Sequence, residues 1–95
     1  MKVYISGQIS GMTDNNKLQF SHAENLLRFF LHKPVNPLKI KHKKNATYND
    51  YLKKDLRVLK RCQAIYMLKG WEHSKGAVIE HEKAKKWRKE IIYEI

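Results

Sequence analysis

Two carboxylates stand where apolar side chains belong. The spacing over residues 48–61 predicts a helix with Tyr48, Tyr51, Leu52, Leu59 and Cys62 along one face. Asp55 falls four residues after Tyr51 and four before Leu59, so it points into the middle of that stripe. A second helix, opening at Ser74 and running to about Arg88, presents Ala77, Ala84 and Trp87. Glu80, three after Ala77 and four before Ala84, sits inside that stripe as well. An ionised carboxylate facing a core is costly unless it is paired or lines a cavity. Acids perturbed in this way, facing a cleft, are suited to nucleophilic and general acid–base chemistry. The alternative is that each acid bonds a lysine or a backbone group at the stripe's edge. The 20 Lys and Arg residues make such partners abundant.

Small residues surround these acids. Ser74-x-Gly76-Ala77 opens the second helix, where free backbone N–H groups and the helix dipole favour an anion, and Gly76 lets a ligand approach the backbone. Gly7 and Gly11 can serve the same way after the first strand, or they are ordinary turn residues. Neither GxxxxGK[ST] nor GxGxxG occurs, so a P-loop and a dinucleotide site are not expected.

The elements that must position these groups alternate along the chain. Lys2–Ser6 (KVYIS) reads as a strand ending at Gly7. A helix is expected from about Lys17 to His32, with Asp14, Asn15 and Asn16 as cap types. Its apolar stripe is Phe20, Ala23, Leu26, Leu27 and Phe30, and Pro34 ends it. Val35-Asn36 is a very short strand, and Lys39–Asn45 a basic loop. Thr47 with Asp50 suggests a capping box for the next helix. Ala64–Leu68 and Ile91–Ile95 complete a β-α-β-α-β-α-β order. This order predicts one α/β domain over residues 1–95, a three-layer sandwich around a short four-stranded parallel sheet of the flavodoxin or Rossmann-like kind. Ligands of such sheets bind beyond the carboxyl ends of the strands, where Ser6, Gly7, the basic loop and the 70–76 turn lie.

Composition narrows the classes. At 95 residues with 42% hydrophobic content, one globular domain is expected. No apolar run approaches the roughly 18 residues of a membrane span. MKVYISGQISG lacks the apolar core of a signal peptide, and the lone Cys62 fits a reducing compartment, so a cytoplasmic location with no membrane partner is expected. Cys62 reads as a buried thiol. The five histidines form no i, i+4 pair and no HExxH, so no metal and no cofactor is expected. His73 and His81 flank the start of the last helix, and Trp71 offers either a stacking wall for a base or plain packing. The net charge of +11 points to an anionic partner.

YISGQISG, YLKKDL and YMLKGWEHSKGAVIEHEKA resemble a small domain-of-unknown-function family related to the nucleoside 2-deoxyribosyltransferases, with the 2′-deoxynucleoside 5′-phosphate N-hydrolases as cousins. The resemblance implies a nucleoside or nucleotide partner and cleavage or transfer at the N-glycosidic bond. It implies Glu80 as nucleophile, Asp55 as the acid facing the base, and Tyr4 beside the nucleophile. It implies substrate-binding roles for Gly7, Gly11 and Ser74, to which the residues themselves add Ser6, Trp71, Lys75 and Gly76 as candidates. It also implies a homodimer or larger homo-oligomer. Two other readings use the same sequence: a nucleotide sensor without turnover, or weak nucleic-acid binding through basic residues 39–61 (Lys39, Lys41, Lys43, Lys44, Lys53, Lys54, Arg57, Lys60 and Arg61).

Overall fold

The computed structural model describes residues 1–9 and 13–95, the side chain of Asn15 excepted. The strands are β1 (Lys2–Ser6), β2 (Lys33–Val35), β3 (Ala64–Met67) and β4 (Glu90–Tyr93). The helices are α1 (Asp14–Phe29), α2 (Tyr48–Lys60) and α3 (Lys75–Lys86), with short 3-10 turns at Pro37–Lys39 and Trp71–His73. All strand pairs are parallel and the order is β2-β1-β3-β4. The chain winds outward from β1 to β2 and then back across to β3 and β4, so β1 and β3 flank the switch point of a doubly wound sheet.

Alternation along the strands builds two cores. Val3 and Ile5 of β1, with Ala64, Tyr66 and Leu68, face α1 and meet Phe20, Ala23 and Leu27. Tyr4, Ile65 and Met67 face the other way, against Leu59 of α2, Cys62 of the turn after it, and Ala77 and Ala84 of α3. The three layers are therefore α1, the sheet, and the α2–α3 pair. Cys62 is buried, as its apolar neighbours require.

The helix ends follow local chemistry. Thr13 caps α1 in a reciprocal box with Asn16, so this helix starts three residues earlier than its apolar periodicity suggests. It also ends earlier. Leu31 adopts a left-handed φ of 65° and terminates α1 two residues after Phe29, before Pro34 can act. Pro34 lies instead within β2, an edge strand that tolerates a missing N–H donor. Two residues of the expected stripe, Leu26 and Phe30, are exposed. Leu26 lies about 100° round the helix from Leu27, off the buried face, and Phe30 belongs to the cap. Thr47 and Asp50 form the box that opens α2, and Ser74 caps α3.

Gly7 marks where β1 meets the chain leaving β3. A Cβ there would lie 2.8 Å from Leu68 Cδ1, and Leu68 is itself fully packed. Gly7→Ala is expected to lower stability by about 1–3 kcal/mol through overpacking, read as a lower denaturant midpoint at unchanged slope.

Candidate functional site

The carboxyl ends of β1 and β3 open into a cleft of about 660 Å³, walled by the first turn of α3 and by α2. Each wall is placed by a cap. Thr47 fixes the start of α2, from which Tyr48, Tyr51, Leu52 and Asp55 reach the cleft. Ser74 accepts a hydrogen bond from the Ala77 N–H at 3.3 Å and aims the first turn of α3 at the same space. The two helices come together at Gly76, where a Cβ would sit 3.4 Å from the Tyr48 hydroxyl.

Glu80 closes the inner end. It is 5% exposed, and both its oxygens are held. The Tyr4 hydroxyl donates to Oε2 at 2.6 Å and the Ser6 hydroxyl donates to Oε1 at 2.6 Å. Burial raises the Glu80 carboxyl to about 7, the nearby Asp55 charge adds to the rise, and the Ser6 and Tyr4 hydrogen bonds oppose it. Tyr4 is pushed well above its ordinary value, first by burial and then by Glu80, so it stays a hydroxyl donor. Asp55 is also buried, and desolvation raises its carboxyl, opposed by His42. The His42 Nε2 lies 3.2 Å from Asp55 Oδ1, and its ring stacks on Tyr51 at 4.0 Å between centroids.

Several residues singled out from the sequence meet here: Asp55, Glu80, Gly7, Ser74, Lys75 and Gly76 line the cleft. Tyr4 and Ser6 lie behind it. Ser6 is fully buried and grips Glu80, so its hydroxyl positions the acid where a substrate contact was expected. Trp71 does not line the cleft. It packs on His81 at 4.2 Å, and His81 Nε2 lies 2.8 Å from the Tyr93 hydroxyl, which ties the 3-10 turn to α3 and β4. His73 lines the cleft and His81 does not. Gly11 lies outside the described residues. His42 escaped the sequence reading, because a histidine inside a lysine-rich loop carries no periodic signal. Only the fold brings it to Asp55.

The basic stretch is not one surface. Lys39 pairs with Glu24 at 2.8 Å, and the Lys54 ammonium donates to the Lys41 carbonyl. Lys60 lies over the Trp87 ring, while Lys53, Arg57 and Arg61 are exposed. Among the described residues no three His, Cys, Asp or Glu side chains converge as a metal-binding group, and no helix is long and apolar enough to cross a membrane.

The sheet order and the helices on both faces define a doubly wound α/β protein, and two solved structures show that it shares its fold with the 2-deoxyribosyltransferases. The 2-deoxyribosyltransferase of the psychrotolerant bacterium Bacillus psychrosaccharolyticus superposes with a TM-score of 0.79 at 16% identity, covering 98% of this chain and 71% of that one. The corresponding enzyme of Leishmania mexicana superposes at 0.72 with 19% identity, covering 97% of this chain and 62% of that one. The chain belongs to the family described as Domain of unknown function (DUF4406), whose model matches residues 1–93. Its sequence matches no curated protein.

Glu80 gives the fold a signature in pH. The unfolded chain releases this proton near 4.5 and the folded chain holds it to about 7. Between those values unfolding releases a proton, so stability falls as pH rises, by on the order of 3 kcal/mol from this group. Glu24, lowered to about 2 chiefly by Lys39, acts in the opposite sense below 4.5. Glu80→Gln is expected to flatten the fall between 4.5 and 7, measured by urea denaturation across that window.

Proposed function

We infer that this chain binds a nucleoside or nucleotide in the cleft and cleaves or transfers its N-glycosidic bond, with Glu80 as the nucleophile. The observation that carries this reading is the Glu80 carboxylate itself. It is buried, lines the cleft, and is held at both oxygens by Tyr4 and Ser6 while a second buried acid shares the same space.

The chemistry follows from that arrangement. A glycosidic bond of a deoxynucleoside breaks through a cationic, oxocarbenium-like state, which an adjacent carboxylate stabilises. In the first step a Glu80 oxygen bonds to C1′ as the C1′–N bond breaks, and the electron pair leaves with the base. Asp55, whose raised carboxyl is suited to carrying a proton, supplies one to the departing base. In the second step water, or the ring nitrogen of a second base, bonds to C1′. The ester to Glu80 breaks, and Asp55 accepts the proton of the attacking group. Water gives hydrolysis and a second base gives transfer.

Each hydroxyl has a stated task. Tyr4 and Ser6 fix the carboxylate's rotamer and withdraw charge from it, which offsets the burial that raises its proton affinity. The first turn of α3, with Ser74 and the N–H groups of Lys75 and Gly76, faces the sugar or its phosphate. Tyr48 and Tyr51 supply flat apolar surface for the base.

The 2-deoxyribosyltransferase fold, the acid pair and the cleft support this reading together. The test is chromatographic product analysis with each deoxynucleoside and its 5′-monophosphate, with and without a second free base. Wild-type protein is expected to release base, Glu80→Gln to lose at least about 10³-fold in rate, and Asp55→Asn about 10²–10⁴-fold. No release from any substrate would sink the reading. A second prediction concerns pH. Because Glu80 attacks ionised and Asp55 gives up a proton, kcat/KM is expected to be bell-shaped in pH, and Asp55→Asn is expected to remove the limb that falls as pH rises while leaving the Glu80 limb near 7.

A further inference from the structure

His42 stands behind two of the cleft groups that a base would meet. It lies outside all three segments that carry the family resemblance, in a loop rich in lysine. Its side chain is nevertheless only 8% exposed. The loop is fastened at two points. Asn36 caps the 3-10 turn Pro37–Lys39 that leads into it, and the Lys54 ammonium of α2 donates to the Lys41 carbonyl, one residue before His42. The imidazole therefore rests on α2, thirteen residues of chain away from Asp55, which it contacts.

This ring makes two different contacts. Nε2 lies 3.2 Å from Asp55 Oδ1, and the ring face stacks on Tyr51 with centroids 4.0 Å apart and planes 26° from parallel. Tyr51 and Asp55 both line the cleft, while His42 does not. They stand four residues apart on α2, so they are neighbours on one helix face, and the imidazole spans both. With its proton on Nε2, His42 donates to Oδ1 and leaves Oδ2 to carry a proton for the cleft. Tyr51 is 43% exposed, and a ring packed on one of its faces restricts its rotation and turns the other to the cleft.

We propose that His42 is the positioning residue of the base-binding end of the cleft: its Nε2 orients Asp55 and its ring backs Tyr51, so one side chain sets both the proton donor and the stacking wall. This rests on the glycosidic reading above. No proton passes to His42. As the C1′–N bond breaks, the proton on Asp55 Oδ2 goes to the base nitrogen, and the carboxylate left behind is held at Oδ1 by the Nε2–H. In the second step the proton of the attacking group returns to Oδ2. A base stacked on Tyr51 is thereby fixed relative to Oδ2, because both are referred to one ring. Other charges bear on Asp55. Desolvation raises its carboxyl, His42 opposes that most, and Lys54 of α2 opposes it less. Glu80 of α3 and Tyr4 of β1 repel it when ionised, and His73 and Lys75 stand on the α3 side of the cleft.

Two substitutions separate the contacts. His42→Phe keeps a ring on Tyr51 and removes the donor, whereas His42→Gln keeps an amide donor near the place of Nε2 and removes the ring. Carbon-13 NMR titration of the Asp55 carboxyl in the free protein is expected to move up in His42→Phe and to stay near the wild type in His42→Gln. In turnover, His42→Phe is expected to lower kcat about 10–100-fold with KM within about threefold, and His42→Gln to raise KM about 2–10-fold with kcat within about threefold. In an Asp55→Asn background, His42→Phe is expected to add no further loss of kcat. An Asp55 titration unmoved by His42→Phe, the same losses of kcat and KM in both variants, or a full further loss in the Asp55→Asn background would each mark a merely structural histidine and overturn the inference. A wild type that releases no base overturns the glycosidic reading instead, and the carboxyl titration, which needs no turnover, then decides the place of His42.

Discussion

The contact on which the rest of the site depends is the grip of two strand hydroxyls on one helix carboxylate. Tyr4 and Ser6 sit two apart on β1, so both point to the α2–α3 face, and both reach Glu80 on α3. Without them Glu80 would be a desolvated acid with no partner, and α3 could not seat this position against the sheet. With them, the acid is held at a known place at the edge of the cleft. Its proton affinity stays close to neutrality, where a small change of environment alters its charge.

That grip also explains the spacing of everything nearby. Gly7 must follow directly, because the chain leaving β1 passes against Leu68 with no room for a side chain. Ser74 must cap α3 at a fixed distance ahead of Glu80 so that the first turn and the acid face one cavity. Asp55 arrives from the other helix of the same layer, steadied by His42. The cleft is thus a product of helix caps and strand alternation more than of any long loop.

Charge and apolar surface are sorted by the same architecture. One layer holds two helices and the acid pair; the opposite layer holds a single helix and leaves part of the sheet under-covered.

Much of this was legible in the residues alone. Strand and helix order, the parallel sheet, the caps at Thr47 and Ser74, and the two acids set inside apolar stripes are all local patterns, fixed by side-chain period and by hydrogen bonds a few residues long. Tertiary structure alone decided what depends on distant segments meeting. It turned Ser6 inward to hold Glu80 and stacked Trp71 on His81, away from the cleft. It brought His42 to Asp55 across thirteen residues of chain. It also exposed Leu26 and Phe30, which an apolar period alone reads as core. Periodicity tells which side of an element is apolar; only the packing of one element against another tells whether that side is covered.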